Sequence, residues 1–474
     1  MMVRYRVKRL MRSGNILNYK KKKNLELYIG LIIVLYVIVI LFLPEFITIN
    51  HKILLILKFA PILLLFFIQN FEVKFFFLLI MSFGYQVFLN ESLTISNFSF
   101  FIPLILIFIV YKRESLFQFK PNFTTKPLVL FLVSALINFL FSKSFSLSGH
   151  LLINYFQAFI IGYYLILFVN NKRKFYYLIF FLSLSSLYPI ALGLLYSGSA
   201  TGDPVNRVSG SFMSSNEFAA YLAFYFFFFS GLMLFVKKIS LKIISLCFII
   251  VTFYLFLNTF SRGAMLGFAL SFLTLLFLMI PKERKLSGAF IAGLTIIISF
   301  ISFLVLDGMK YLNRFFVAGD SSVDFSTIER LGIWRSGILM FKESPIIGFG
   351  LNTFQKYYPS YFPSYGIGLV SNRHKHAHNI IINTLAEQGV IGFIFLVAIL
   401  VLIFRSLWKL YKHERDLGKV RFSAIFISFY VYFIVHNCFD TIWTVYHHVA
   451  LFVNLVVFLV LIVLYEKYFL KICQ

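Results

Sequence analysis

Apolar runs of about 15 to 25 residues recur from one end of the chain to the other, separated by short polar connectors. A run of that length crosses the ~30 Å hydrocarbon core of a bilayer as an α-helix. Within that core, helices and closed barrels alone satisfy every backbone N–H and C=O. About fourteen runs are expected, at roughly 25–43, 53–69, 75–89, 98–111, 127–141, 150–169, 175–196, 216–236, 240–257, 262–280, 288–306, 379–403, 420–437 and 448–465. The pattern predicts an all-α fold, a polytopic membrane helix bundle with about 12–14 transmembrane helices. Composition agrees, since 60% of the residues are hydrophobic and 20% aromatic, which lies outside the soluble range.

Only 13% of residues are charged, yet the net charge is +26. On a soluble protein that excess would point to nucleic acid. Here the basic residues sit between apolar runs, so topology explains them and no nucleic-acid partner is predicted. The first 24 residues form a basic tail. The run at 25–43 is long for a cleaved signal and has no small-residue cleavage site, so it reads as an uncleaved first span. With the N-terminus cytoplasmic, the inner connectors include "NNKRK", "KKISLK", "PKERK" and "FRSLWKLYKHERDLGKVR". The inner face then carries roughly 31 Lys and Arg, the short outer connectors about four, which is the positive-inside asymmetry. Lys58 falls inside the second run, where it would snorkel or line a cavity.

The predicted organisation is a cytoplasmic tail at 1–24, a first part of the bundle at 25–306, a large extracytoplasmic loop at 307–378, C-terminal spans at 379–465 and a cytoplasmic tail at 466–474. Long ordered loops are usually functional. Inside this one "STIERLGIWRSGILMF" reads as a helix. Ser326 and Glu329 have capping-box spacing, Leu331, Trp334, Ile338 and Phe341 form a stripe, and Pro345 ends the run. A helix of this kind would lie along the membrane surface. Cys247, Cys438 and Cys473 are far apart and predict neither disulfides nor a metal site.

Four outer places carry side chains suited to chemistry. "RVSGSFMSSNEFAAYL" holds Arg207 and Asn216. "NTFSRGAMLGF" places Arg262 at the start of a span. The loop helix carries Arg330 and Arg335, and the stretch before the next span holds Arg373, His374, His376 and His378. Arg207 and Arg262 are among the few cations that break the sign rule, and few acids lie near enough in sequence to pair them. An external anion would suit their forked donors; headgroup anchoring or a buried ion pair is the structural alternative. His378 is either a general base or an interfacial histidine, and His374 and His376 read as solvated loop residues. Three alternating histidines suggest a metal. With no acid nearby and alternate residues pointing apart, none is predicted. Asp320 and Asp324 sit in a Ser-rich loop without a DxD motif.

In order and placement these elements resemble the O-antigen ligase and O-antigen polymerase superfamily. "HNIIINTLAEQGVIG" is similar to the ligase pattern at His378, Asn379, Gly389 and Gly392. "RGAML" resembles the Arg-x3-Leu element at Arg262 and Leu266. Arg207, Gly210, Phe212 and Asn216 resemble the Arg-x2-Gly-x-Phe-x3-Asn segment, and "RLGIWRSGILMFKESPIIGFGLNTF" resembles the large-loop stretch. About fourteen spans exceed the dozen or so usual for ligases.

The resemblance implies a metal-independent glycosyltransferase in the cytoplasmic membrane, needing no cofactor. Its donor would be an undecaprenyl-pyrophosphate-linked glycan, and its acceptor another glycan or a lipid A-core sugar. Arg207, Arg262, Arg330 and Arg335 would hold the diphosphate, with His378 as base. Asn216 and Asn379 would support them, while Gly389 and Gly392 would let spans pack closely. Ligase and polymerase share these motifs. In a host without an outer membrane, the role would be polymerisation of a capsular or wall polysaccharide. The rival class is a flippase for the same lipid-linked glycans, which would carry cations deep in its spans.

Overall fold

The computed structural model describes residues 88–90, 93–94, 126–195, 207–212, 214–279, 325–362, 376–417, 422–441 and 449–470. The chain divides into two compact units, Met1–Met81 and Ser82–Gln474, and every described residue lies in the second. The runs expected at 25–43, 53–69, 98–111 and 288–306 lie outside the described residues, as do Lys58, Asp320, Asp324, Arg373 and His374; of the run expected at 75–89 only the last two residues are described, and they lie in a strand and not a helix.

The fold is an all-α polytopic membrane bundle. Its helices are α1 (Lys126–Leu140), α2 (Phe145–Phe168), α3 (Lys172–Ser185), α4 (Leu187–Leu195), α5 (Ser215–Phe235), α6 (Ile239–Asn258) and α7 (Arg262–Met279). They are followed by α8 (Phe325–Glu343), α9 (Phe354–Tyr357), α10 (Ile380–Asp416), α11 (Phe422–Asn437) and α12 (Val449–Tyr465). Among the described residues, β structure is confined to a short antiparallel pair, Phe88–Asn90 with Leu93–Thr94. Six helical segments there are long and apolar enough to cross a membrane, α3 and α4 counting as one. Each apolar run expected from residue 127 onward in the described regions is helical, with ends shifted by a few residues.

Helix α5 sits at the centre. Its sequence is apolar all round, as a helix enclosed by others must be, and Phe218, Ala219, Tyr221, Leu222, Ala223 and Tyr225 are buried. Its start is fixed by a reciprocal cap. The Ser214 hydroxyl accepts from Glu217 N at 3.3 Å and donates to Glu217 Oε1 at 2.8 Å. Aromatic rings carry the packing outward, Phe224 meeting Phe429 of α11 at 5.5 Å and Phe226 meeting Phe268 of α7 at 4.8 Å.

Helices α7 and α11 make an extensive contact because two glycines face it. A Cβ on Gly263 would lie 2.5 Å from Phe439 Cβ, and one on Gly267 3.2 Å from the Tyr432 carbonyl oxygen. The spacing is small-xxx-small, which lets two helix backbones approach.

Helix α10 runs 37 residues, well past the expected end at 403. Gly389 divides it, and the stretch from there to Asp416 is about 40 Å long at 1.5 Å per residue, more than the hydrocarbon needs. The extension is held by packing and by polar bonds. Tyr411 donates to the Leu278 carbonyl at 2.9 Å, and the buried Glu414 accepts from Ser423 N at 2.9 Å and from Tyr465 at 2.6 Å.

The loop helix α8 opens at Phe325, one residue before Ser326, so Ser326 lies inside the first turn. Its buried face is Ile333, Ser336 and Met340, packed with Phe349, Phe354, Tyr358, Ala377 and Ala386. The predicted stripe is instead largely outward, with Leu331 and Ile338 exposed and Trp334 half-buried, its indole donating to the Ala377 carbonyl at 2.9 Å. The helix has two apolar edges, and spacing alone does not say which one the bundle takes.

The segment after α8 docks through its backbone. Gly389, at φ 61° and ψ −163°, breaks α10, and Val390 N and Ile391 N donate to the carbonyls of Pro345 and Ile346 at 2.8 and 3.1 Å. Phe349 N and Gly350 N reach back to the carbonyls of Ala386 and Glu387 at 3.1 and 2.7 Å. The Glu387 carboxylate, buried beside the break, accepts from Phe354 N at 2.8 Å and from Asn383 at 3.1 Å. On the outside, Lys143 pairs with Glu343 at 3.0 Å, and Tyr361 donates to the same carboxylate.

Candidate active site

Six separate segments meet at one end of the bundle. They are the Arg207 connector, the start of α5, the turn into α7, the first half of α8, the stretch before α10 and the turn after α11. Arg207, Asn216, Phe260, Arg262, Arg330, His436 and Asp440 line an open pocket with about 350 Å³ of empty space. Lys237 and Lys238 follow the other end of α5, and Lys172 and Lys174 open α3 beside it, where Phe175 meets Phe235 at 6.3 Å.

A continuous chain of bonds joins the pocket's cationic and imidazole sides. Arg207 Nε donates to the Thr259 carbonyl at 2.9 Å, and Nη2 donates to Asn216 Oδ1 at 2.8 Å. Asn216 Nδ2 donates to Asp440 Oδ2 at 2.6 Å, and Asp440 Oδ1 lies 3.0 Å from His378 Nδ1. Asp440 thus orients an arginine-bound amide with one oxygen and an imidazole with the other. Burial raises its carboxyl, but His378, His376 and His436 around it hold it well below the ordinary carboxylate range.

The backbone is strained on both sides of this network. Phe260, two residues before Arg262, and His378 each have φ 50°, in the left-handed region that non-glycine residues seldom enter. The His378 turn is braced by its neighbours. Asn379 Oδ1 caps α10 by accepting from Ile381 N at 2.9 Å and Ile382 N at 3.1 Å, while Asn379 Nδ2 donates to the Cys438 carbonyl at 3.0 Å. Asn379 therefore ties the histidine's helix to the turn that carries Asp440.

His376, expected as a solvated loop residue, is 12% exposed at its side chain and lies 3.8 Å from Asp440 Oδ1, with its ring 4.3 Å from that of His378. An acid does stand beside the histidines, brought from 62 residues away. The ligand atoms of His376, His378 and Asp440 lie within 4.8 Å of one another, a set with the composition of a metal site. One bond opposes that use. His376 Nδ1 accepts from His378 N at 3.2 Å, so in the neutral ring Nε2 keeps its proton, the reverse of a ligating histidine that donates through its second nitrogen.

The structure therefore brings Arg207, Asn216, Arg262 and Arg330 together, with His378 linked through Asp440 and Asn379 bracing the turn. Arg335 is exposed on α8 and does not line the pocket. Gly389 touches the loop backbone at Ile346 and Ile347, and a Cβ on Gly392 would meet Gln388 of its own helix, so neither contact lies between spans. Asp440 and His436 were absent from the sequence-based candidates. The signal open to a reader was "HNCFD", two polar groups at the end of an apolar run, on the outer side by alternation.

Residues 246–397 match the family model described as O-antigen ligase. The match begins within α6 and ends within α10, so it contains Arg262, Arg330, His378 and Asn379 and leaves Arg207, Asn216 and Asp440 outside it. A curated relative, the teichuronic acid biosynthesis protein TuaE of Bacillus subtilis (strain 168), is 26% identical over 240 residues. The alignment covers 48% of this chain and 46% of the relative, so the match spans about half the length of each. The one similarity is thus to O-antigen ligases and the other to a protein of teichuronic acid biosynthesis.

Proposed function

We propose that this protein is a membrane glycosyltransferase that moves a glycan from undecaprenyl pyrophosphate to an acceptor sugar hydroxyl at the outer face of the cytoplasmic membrane. The observation that carries the reading is the Arg207–Asn216–Asp440–His378 chain at the mouth of a pocket shared with Arg262 and Arg330.

In the reaction, the acceptor oxygen forms a bond to the anomeric carbon of the donor glycan. The bond from that carbon to the diphosphate oxygen breaks, and its electron pair leaves with the undecaprenyl diphosphate. The hydroxyl proton passes to His378. Asp440 on Nδ1 sets the tautomer in which Nε2 accepts that proton, and it stabilises the imidazolium that results. Such a base contributes ~10²–10⁴-fold. The charge gained by the diphosphate is met by Arg207, Arg262 and Arg330, donors already gathered around the pocket. Arg335, outside the pocket, is left as a residue of the loop surface. No step calls for a metal.

The relative's role in teichuronic acid biosynthesis favours a polymerase of a surface polysaccharide over transfer to a lipid A-core. The cations gather at one end of the bundle, which favours an enzyme over a flippase. The test uses the purified protein in proteoliposomes with a lipid-linked repeat unit. New glycosidic bonds made by wild type and lost with His378→Ala are expected. Transfer between leaflets with no new bond would replace this reading with a flippase. Polymerised chains on the carrier point to a polymerase, and transfer to a separate acceptor lipid points to a ligase.

A further inference from the structure

His436 occupies the last turn of α11, where it lines the arginine pocket but takes no part in the bond chain described above. It is 1% exposed. Its Nδ1 lies 2.9 Å from the hydroxyl of Tyr432, one turn back on the same helix. Its Nε2 is buried with no hydrogen-bond partner among the described residues. Buried polar atoms are nearly always matched, and an unmatched one in a polar pocket asks for its missing partner. Helix α7 packs closely against the backbone at this turn. A Cβ built on Gly267 would lie 3.4 Å from His436 N.

We propose that His436 is an uncharged hydrogen-bond donor for the substrate's diphosphate, its Nε2–H completing the ring of donors formed by Arg207, Arg262 and Arg330. The inference rests on the diphosphate reading given above. In the tautomer this proposal takes, the Tyr432 hydroxyl donates to Nδ1 and the ring proton stands on Nε2. Each guanidinium brings charge, and a fourth cation beside them would add repulsion before the anion arrives. A neutral imidazole adds a donor without that cost. A phenylalanine would fill the same space without leaving a nitrogen unmatched, so packing alone does not account for histidine here.

The test measures binding of inorganic pyrophosphate to the purified full-length protein in nanodiscs, beside steady-state glycan transfer. His436→Phe is expected to weaken pyrophosphate binding about 10-fold and to raise KM for the lipid-linked donor by a similar factor, with KM for the acceptor unchanged. His436→Gln, whose amide nitrogen reaches about as far as Nε2, is expected to recover most of the binding. His436→Asn, too short to do so, is not. This pair of amides settles the point should the Phe variant fail to fold. If His436→Phe or His436→Asn binds pyrophosphate as wild type does while Arg262→Lys loses it, the histidine is a packing residue and the inference falls, with the diphosphate reading intact. If wild type itself does not bind pyrophosphate and Arg262→Lys transfers glycan normally, the diphosphate reading falls and takes this inference with it.

Discussion

Asp440 is the residue on which the candidate site turns, because its two oxygens serve two different partners. Removing the charge alone separates those services. Asp440→Asn keeps the side-chain shape, leaves the imidazolium of His378 uncompensated and no longer fixes its tautomer. A loss in kcat on the order of 10²–10⁴-fold is expected, read as initial rates of glycan transfer at saturating donor. The pH profile follows from the direction of the Asp440 shift. A carboxyl held well below its ordinary range in the folded state favours the ionised form. Its contribution to stability is present above the unfolded value near ~3.9 and is lost as pH falls through the lower folded value. Asp440 is therefore charged throughout the working range. No carboxylate-like limb is expected in the wild-type pH profile of kcat above about pH 5, and one there would contradict this account. Arg207→Lys tests the other arm. Lysine keeps the charge and loses the fork that reaches Thr259 and Asn216 together, so donor KM is expected to rise at least ~10-fold while the protein still folds.

At the scale of elements, close backbone approaches decide where those residues stand. Gly263 precedes no functional contact of its own, yet a methyl group there meets Phe439, the residue before Asp440. Gly263→Ala is expected to move the turn that carries Asp440 and to lower activity with only a small change in thermal stability. A melt in detergent beside a transfer assay checks it, and a variant as active as wild type would sever the link between this contact and the site. Gly389 is different, because the substitution meets backbone on both counts. An added Cβ would lie 2.4 Å from Ile346, in an essentially glycine-only conformation that costs an L-residue about 1–3 kcal/mol before the clash is counted. Gly389→Ala is expected to undock the 345–350 segment, seen as a lower melting temperature and new protease cleavage near Pro345. Apolar periodicity disclosed each of these helices but not its break. A left-handed glycine inside an apolar run leaves the period intact, and Gly389 reads in sequence like any small interfacial residue.

For the whole molecule, the inner and outer ends are the coarsest claim and the one on which the chemistry depends. With Cys247, Cys438 and Cys473 replaced, a single cysteine at the half-buried Ser209, two residues after Arg207, is expected to react with an impermeant maleimide in intact cells. One at Lys238, at the far end of α5, is expected to react only after the membrane is opened. Reversal of that pattern would put the site on the cytoplasmic side and remove access to an externally presented glycan. The helical spans and the sidedness expected of them follow from the sequence alone, since both depend on local properties: the length of an apolar run and the charge of the connector beside it. Arg207, Asn216, Arg262 and His378 stood out for the same reason, as polar groups at the edges of such runs. That Asp440 would face His378 across 62 residues, that His436 would turn into the arginine pocket, and that Arg335 would stay outside it were decided only by tertiary packing. Those pairings depend on how closely α7 meets α11 and where α10 bends, and neither distance is carried by any single stretch of chain.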